Sequence, residues 1–147
     1  MIDRLLNLLQ GTGRGSAPLI EEPHLSVAVL LVEAGLMHGE FSAEERAMTA
    51  QLLSRRFALS MDEADELITR AEARARSTAQ YFPFTNSLNA SMSIDDKIEV
   101  IEMLWRIAYA DGNLDAFEDQ LIRQVAGLMH VPDRDRMNAR KRVLGID

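Results

Sequence analysis

The stretches HGEFSAEE at residues 38–45 and DGNLDAFE at residues 111–118 decide the fold of this chain. Each follows an apolar run with helical spacing, has glycine as its second residue and ends in glutamate. A glycine after such a run is typical of a helix C-terminus, where φ becomes positive. A small polar residue three positions before the glutamate predicts an N-terminal capping box for the next helix. Both stretches are therefore predicted to be turns between two helices.

The two stretches belong to a longer internal repeat. Residues 24–59 align without a gap with residues 97–132, at a constant offset of 73 positions. The identical positions are Val27/Val100, Leu31/Leu104, Gly39/Gly112, Ala43/Ala116, Glu45/Glu118 and Gln51/Gln124. They fall on the same pattern of apolar helix, glycine turn, cap and second helix. We interpret the pattern as two helical hairpins related by a pseudo-two-fold axis, with flanking helices.

Apolar periodicity and capping residues predict the remaining elements. The predicted helices cover residues 1–10, 22–37, 43–57, 61–80, 94–108 and 116–129, followed by a last, basic helix that opens at Pro132 and Asp133. Tyr81-Phe82-Pro83-Phe84 is expected to break the fourth of them, and residues 85–92 suit either a short helix or a loop. The predicted fold is an all-α single domain of about seven helices.

Composition limits the function classes. The chain has 147 residues, no cysteine, 47% apolar residues and a net charge of −7. The apolar content excludes wholesale disorder, and the missing cysteines exclude disulfides, thiolate metal sites and a cysteine nucleophile. The acidic balance argues against a nucleic-acid partner. The acidity is concentrated in the repeats, since residues 21–47 sum to −5 and residues 95–120 to −6.

The N-terminal region predicts the domain boundary and the location. Residues 1–20 are expected to form a short helix and a glycine-rich linker, with the helical domain covering residues 21–147. The first ten residues lack the apolar core and cleavage site of a signal peptide. The most apolar run, near residues 26–37, is too short to span a bilayer. We therefore expect a cytoplasmic protein, with contact between the terminal helix and a membrane surface left open.

The second turn carries the candidate chemistry. Asp111 lies at a predicted helix C-terminus, where the partial negative charge of the helix disfavours a carboxylate. A cation held by Asp111, Asn113, Asp115 and Glu118 would remove this conflict, because hard divalent ions bind several oxygens at once. The spacing begins like an EF-hand, but Ala116 stands at its sixth position and no glutamate at its twelfth. A true EF-hand is excluded, and caps without a metal explain much of the same pattern.

The sequence Tyr109-Ala110-Asp111-Gly112 through Glu118, with its counterpart in the first half, resembles the TerB-like family of helical domains. The resemblance implies an all-α fold, association with tellurite resistance and stress, divalent-metal binding and bacterial complexes at the inner face of the membrane. Related domains occur in membrane-anchored DnaJ-type co-chaperones. The family's acidic positions correspond to Asp111, Asp115, Glu118 and, in the first repeat, Glu45. Where the pattern would have aspartate, the first repeat has His38.

Other chemistry finds little support in the sequence. The three histidines form no pair with the spacing of a zinc or di-iron site, and no serine-hydrolase motif is present. We therefore expect no catalysis. The basic residues of the last helix, Arg134, Arg136, Arg140, Lys141 and Arg142, suit a solvated face or a contact with acidic lipid or an acidic protein.

Three functions remain open on these observations. The first is a non-catalytic, divalent-cation-binding stress or scaffold domain, with Ca²⁺, Mn²⁺ and Zn²⁺ all open as the ion. The second is a structural protein-interaction module of the co-chaperone kind that needs no metal. The third is a small helical enzyme whose carboxylates act on a phosphorylated or metal-bound substrate. The protein partner of the first two, including a membrane-associated complex, is not specified by the sequence.

Overall fold

A computed structural model describes residues 22–37, 39–76, 80–110, 112 and 116–145. Within these ranges the chain is helical and contains no strand. The helices are α1 (Pro23–Leu36), α2 (Ala43–Phe57), α3 (Met61–Arg76), α4 (Phe82–Ser91), α5 (Ile94–Ala108), α6 (Ala116–Leu128) and α7 (Asp133–Leu144). The predicted all-α fold is confirmed. The predicted helix over residues 1–10 and the linker that follows it lie outside the described residues.

Helix α1 forms the centre of the molecule. Pro23 occupies its first turn, where a missing N–H costs no hydrogen bond. Its side chains are buried almost all round, and it packs against α2, α3, α4, α5 and α6. The prediction of a central helix from its apolar composition is confirmed. No helix among the described residues is long and apolar enough to cross a bilayer.

Helices α2 and α3 begin at the predicted capping boxes. The Ser42 hydroxyl accepts a hydrogen bond from the Glu45 N–H at 3.0 Å, and the Glu45 carboxylate accepts one from the Ser42 N–H at 2.9 Å. Ser60 and Glu63 make the same pair of bonds at the start of α3. Each box satisfies N–H groups that have no partner inside the helix. Helix α3 is described to Arg76, and residues 77–79 lie outside the described ranges. Gln80, the predicted end of this helix, is not helical.

Helix α4 resolves the segment for which the sequence left two options. Gln80 and Tyr81 are not helical, so the predicted break before this segment is confirmed. The new helix begins at Phe82, with Pro83 in its first turn. Phe84 and Leu88 are fully buried. The helix lies against α1 and α6, and the Asn89 amide donates a hydrogen bond to the Leu128 carbonyl at 2.9 Å. Tertiary packing therefore decides the conformation of a segment whose own helix propensity is weak.

Helices α5, α6 and α7 repeat the arrangement of the first three. Helix α3 packs on α1 and α2, and α7 packs on α5 and α6 in the same way. Each half is thus a three-helix unit, one helix longer than the predicted hairpin. Non-glycine residues with positive φ, Ala58 at 54° and His130 at 60°, precede the third helix of each unit. Helix α4 has no counterpart among the described residues.

Candidate functional site

The backbones of the two turns match at the positions that the structure describes. The Gly39 N–H donates to the Leu36 carbonyl, and the Gly112 N–H donates to the Tyr109 carbonyl, both at 2.9 Å. The φ angles of the glycines are +104° and +90°. A side chain would be strained at such angles, so the prediction of a glycine-dependent helix end is confirmed at both positions.

The first turn is closed by packing and by its cap. The side chain of Glu45 is only 3% exposed, and one of its oxygens accepts the Ser42 N–H. The Phe41 ring lies directly over Gly35, where an added Cβ would be 2.6 Å from two ring carbons. Glu45, a predicted metal ligand, therefore acts as a cap in this structure. The neighbouring His38 is outside the described residues.

The second turn contributes one described side chain to the predicted site. Glu118 lies in the first turn of α6 and is fully buried. Three of the predicted ligands, Asp111, Asn113 and Asp115, lie outside the described residues. Among the residues that are described, no group of three or more histidine, aspartate or glutamate side chains is placed to hold a metal ion. The metal site therefore stays a prediction.

The chemistry of these residues suits a hard cation. Three carboxylates and one amide supply oxygen donors, the ligands that Ca²⁺ and Mn²⁺ prefer, and no thiolate or histidine pair that would favour Zn²⁺ accompanies them. Burial of Glu118 takes its carboxylate out of water, an arrangement that is costly unless other groups compensate the charge. The turn thus has the donor types that a hard divalent ion requires.

A half-buried carboxylate on α1 was not singled out by the sequence. Burial raises the pKa of Glu33. The pKa of Tyr81, just before α4, is raised by its own burial and then by the negative charge of Glu33. The signal in the sequence was a lone acidic residue inside an otherwise apolar helix. Helix α4, which follows Tyr81, packs against α1, and the sequence did not predict its position.

The predicted basic face of α7 is largely used within the protein. Arg136 is 7% exposed and pairs with Asp133. The Arg140 guanidinium donates to the Tyr109 hydroxyl at 2.7 Å, and that of Arg142 to Glu102 at 2.6 Å. Three of the five cations are therefore held by groups of the same chain. Arg134 and Lys141 are the exposed cations that make no ion pair with described residues.

A concave surface lies between α2 and α5. It is an open groove of about 480 Å³ whose floor includes Met48, Leu52 and Met103. Arginine and glutamate side chains from both helices form its rims. No local pattern in the sequence predicts it, because the groove forms only where the second helix of one unit packs beside the first helix of the other.

Comparison with known proteins identifies the family. No curated protein and no solved structure matches the chain. The family model described as tellurite resistance protein TerB matches residues 24–141. This range covers both turns and nearly all of both three-helix units, ending within α7. It agrees with the resemblance noted at Tyr109–Glu118. The chain therefore belongs to the TerB family, which is associated with tellurite resistance.

Proposed function

We propose that this chain is a non-catalytic TerB domain that binds a divalent cation at its second turn and acts as a scaffold for a protein partner. The cation is held by Asp111, Asn113, Asp115 and Glu118. It fixes the angle between α5 and α6 and so sets the shape of the surface presented to the partner. The protein works in the cytoplasm, in a stress-response complex at the inner face of the membrane.

The observation that carries this proposal is the complete burial of Glu118 next to the acidic turn. A carboxylate in the first turn of a helix gains from the helix dipole, and a divalent ion beside it would stabilise the buried charge further. The preceding residues supply oxygen ligands at close sequence spacing. A divalent ion bound by them would remove the conflict that the sequence predicts for Asp111 at a helix C-terminus.

A metal-free interaction module is the second candidate, and the first turn favours it. Glu45 occupies the position of Glu118 in the repeat and serves there as half of a capping box. If Glu118 did no more than this, its replacement by alanine would cost about 1 kcal/mol or less, with or without a metal. The two candidates therefore differ in their response to added cations.

A thermal-shift series separates them. After treatment with EDTA, the wild-type chain is melted with Ca²⁺, Mn²⁺ or Zn²⁺, and we expect at least one ion to raise the Tm. Asp111→Asn should abolish the rise, because it removes one ligand charge. The matched control is Asp119→Asn, which removes an acidic side chain on α6 that pairs with Arg123 and should leave the rise intact.

The opposite results would favour the metal-free module. These are a wild-type Tm that no ion changes, or a rise that Asp111→Asn retains. In that case Asp111→Asn should be neutral or slightly stabilising, because it removes a charge that opposes the helix dipole. Titration calorimetry with the ion that gives the largest shift then measures stoichiometry and affinity directly.

A further inference from the structure

The groove between α2 and α5 has an apolar floor and charged rims. Met103 is 6% exposed, and Met48 and Leu52 are partly buried. The rims carry Gln51, Arg55, Arg56, Glu99, Glu102 and Arg106. The groove is more open than enclosed, which suits a segment of polypeptide better than a buried small molecule.

The equivalent groove in the other half of the molecule is filled. By the repeat, α2 corresponds to α6 and α5 corresponds to α1, so the counterpart groove lies between α6 and α1. Helix α4 packs there, against both of them, and buries Phe84 and Leu88. In this half of the molecule, the groove is thus occupied by a short helix with two buried apolar side chains. Within the described part of the chain, no helix lies in the groove between α2 and α5.

The groove positions differ in charge between the two halves. Glu102 and Arg106 stand where the filled groove has Val29 and Glu33. Met48 and Met103 stand where it has Leu121 and Leu30, which are 3% and 0% exposed. The open groove thus keeps an apolar floor but replaces part of the buried surroundings with charged side chains. Its occupant must carry charge as well as an apolar stripe.

The sign of that charge follows from the ion pairs. Arg56 pairs with Asp96 at 3.1 Å and with Glu99 at 2.9 Å. Glu102 pairs with Arg142. Arg55 and Arg106, one on each rim, are exposed and make no hydrogen bond or ion pair with any described residue. Two free positive charges therefore face the groove in a protein whose net charge is −7.

We propose that this groove docks a short amphipathic helix of a partner protein, with apolar side chains on the methionine floor and carboxylates against Arg55 and Arg106. Methionine side chains adapt to differently shaped apolar partners, and guanidinium groups pair well with carboxylates. The docked helix takes the place that α4 takes in the other half. This inference rests on the scaffold part of the proposed function and names the surface and the chemistry of the partner.

The test uses the full chain and two labelled peptides on the order of 14 residues, or four helical turns. The acidic probe has leucines along one helical face and glutamates beside them, and the basic probe has lysine in place of every glutamate. Fluorescence anisotropy should show that the wild type binds the acidic probe and not the basic one. Arg55→Glu with Arg106→Glu should weaken acidic-probe binding by about tenfold or more and create binding of the basic probe.

The matched control is Arg134→Glu with Lys141→Glu. It makes the same change in net charge at two exposed residues outside the groove and should leave both affinities unchanged. Leu52→Gln should weaken binding of the acidic probe, but this variant should still bind the acidic probe more tightly than the basic one. Circular dichroism confirms that each variant is folded. The inference fails if the wild type binds neither probe, or if the control variant loses binding as much as the groove variant.

Other occupants give distinct results that would overturn the inference. A second copy of the chain would produce a concentration-dependent dimer in sedimentation, lost in the groove variant. If the chain's own first residues occupied the groove, the wild type would not bind the probe. The variant Leu5→Asp with Leu9→Asp would then bind it. The acidic probe is also titrated in EDTA and with added cation. Equal affinity under the two conditions would show that docking in the groove does not depend on the proposed metal site.

Discussion

The two three-helix units hold their third helix by different chemistry. In the first unit, Arg46 on α2 reaches across to α3 and bonds to Asp65, Thr69 and Glu72 at 2.9–3.2 Å. In the second, the indole N–H of Trp105 donates to the Arg136 carbonyl at 3.1 Å. The first contact is a charged network at the surface, and the second is an aromatic contact inside the core.

The difference shows that the fold requires a packed third helix but no particular interaction to hold it. Burial works to lower the pKa of Arg46, but hydrogen bonds to Asp65 and Glu72 outweigh it and the pKa rises above its usual value. The network is thus mutually favourable, although water and salt weaken it. The contact of Trp105 depends on burial of a large side chain, which salt does not screen. We call the Arg46 network and the Trp105 contact the two anchors. Their removal should lower the free energy of unfolding by unequal amounts.

Trp105→Ala tests the stronger anchor and should have the largest effect. Trp105 is fully buried, and Arg140 lies over its ring at 5.8 Å. Loss of the ring leaves a cavity between α5 and α7, so the free energy of unfolding should fall by about 3–5 kcal/mol. Because the chain has one tryptophan, urea unfolding must be followed by circular dichroism rather than by fluorescence.

Arg46→Ala is the control for this comparison. The Arg46 side chain is 30% exposed, and removing its network should cost about 1 kcal/mol or less. Concentrated NaCl should reduce the stability difference between wild type and Arg46→Ala but not the loss caused by Trp105→Ala. Equal losses from the two substitutions would contradict the distinction between the anchors.

Gly35→Ala tests the contrast between the two turns and should have an intermediate effect. The new Cβ would meet the Phe41 ring at 2.6 Å, and overpacking of this kind costs about 1–3 kcal/mol. The gain in helix propensity, about 1 kcal/mol, offsets part of that cost. Urea unfolding measures the sum.

A second substitution identifies the cause. The second repeat has Ala108 and Leu114 at the positions of Gly35 and Phe41. Phe41→Leu should therefore relieve the clash, so the double variant should be more stable than the sum of the two single changes predicts. Additive single and double changes would show that the Phe41 ring does not limit the size of residue 35.

Glu33→Gln tests the filled groove and should have the smallest effect. Because the pKa of Glu33 is raised in the folded protein, the folded state holds its proton at pH values where the unfolded chain has lost it. Stability therefore falls as pH rises through the folded-state pKa. Glutamine carries no charge, so Glu33→Gln should be more stable than wild type at neutral pH, and the gain should shrink in acid.

Thermal unfolding at a series of pH values measures this effect. Glu66→Gln is the matched control, because Glu66 is exposed on α3 and makes no ion pair with described residues. Its effect on stability should vary little with pH. A loss of stability in Glu33→Gln at neutral pH would mean that the charged form of Glu33 is favoured by a group in the fold.

Much of the fold could be predicted because its signals are local. Ser42 with Glu45 and Ser60 with Glu63 marked helix starts that the structure confirms to the residue. Helix α4 could not be predicted with the same certainty, because its asparagine and serine residues have weak helix propensity. It forms where α1 and α6 offer an apolar groove, a long-range condition that no local pattern contains.

The candidate site divides in a similar way. Gly39, Gly112 and Glu45 behave as local capping rules predict. The complete burial of Glu118 was not predictable, since it depends on which helices close over α6. Metal binding at Asp111, Asn113, Asp115 and Glu118 stays a prediction for the thermal-shift series. The groove between α2 and α5 could not be predicted from the sequence. Like the position of α4, it depends on long-range packing of helices.

Ala58 and His130, two non-glycine residues with positive φ, affect the thermal stability of this protein. Neither is glycine, although each occupies a backbone conformation that costs a side-chain-bearing residue about 1 kcal/mol or more. The same bend recurs in both units with different residues, and neither unit has glycine there. Because glycine adopts positive φ without this cost, Ala58→Gly and His130→Gly are expected to raise the thermal stability of the protein.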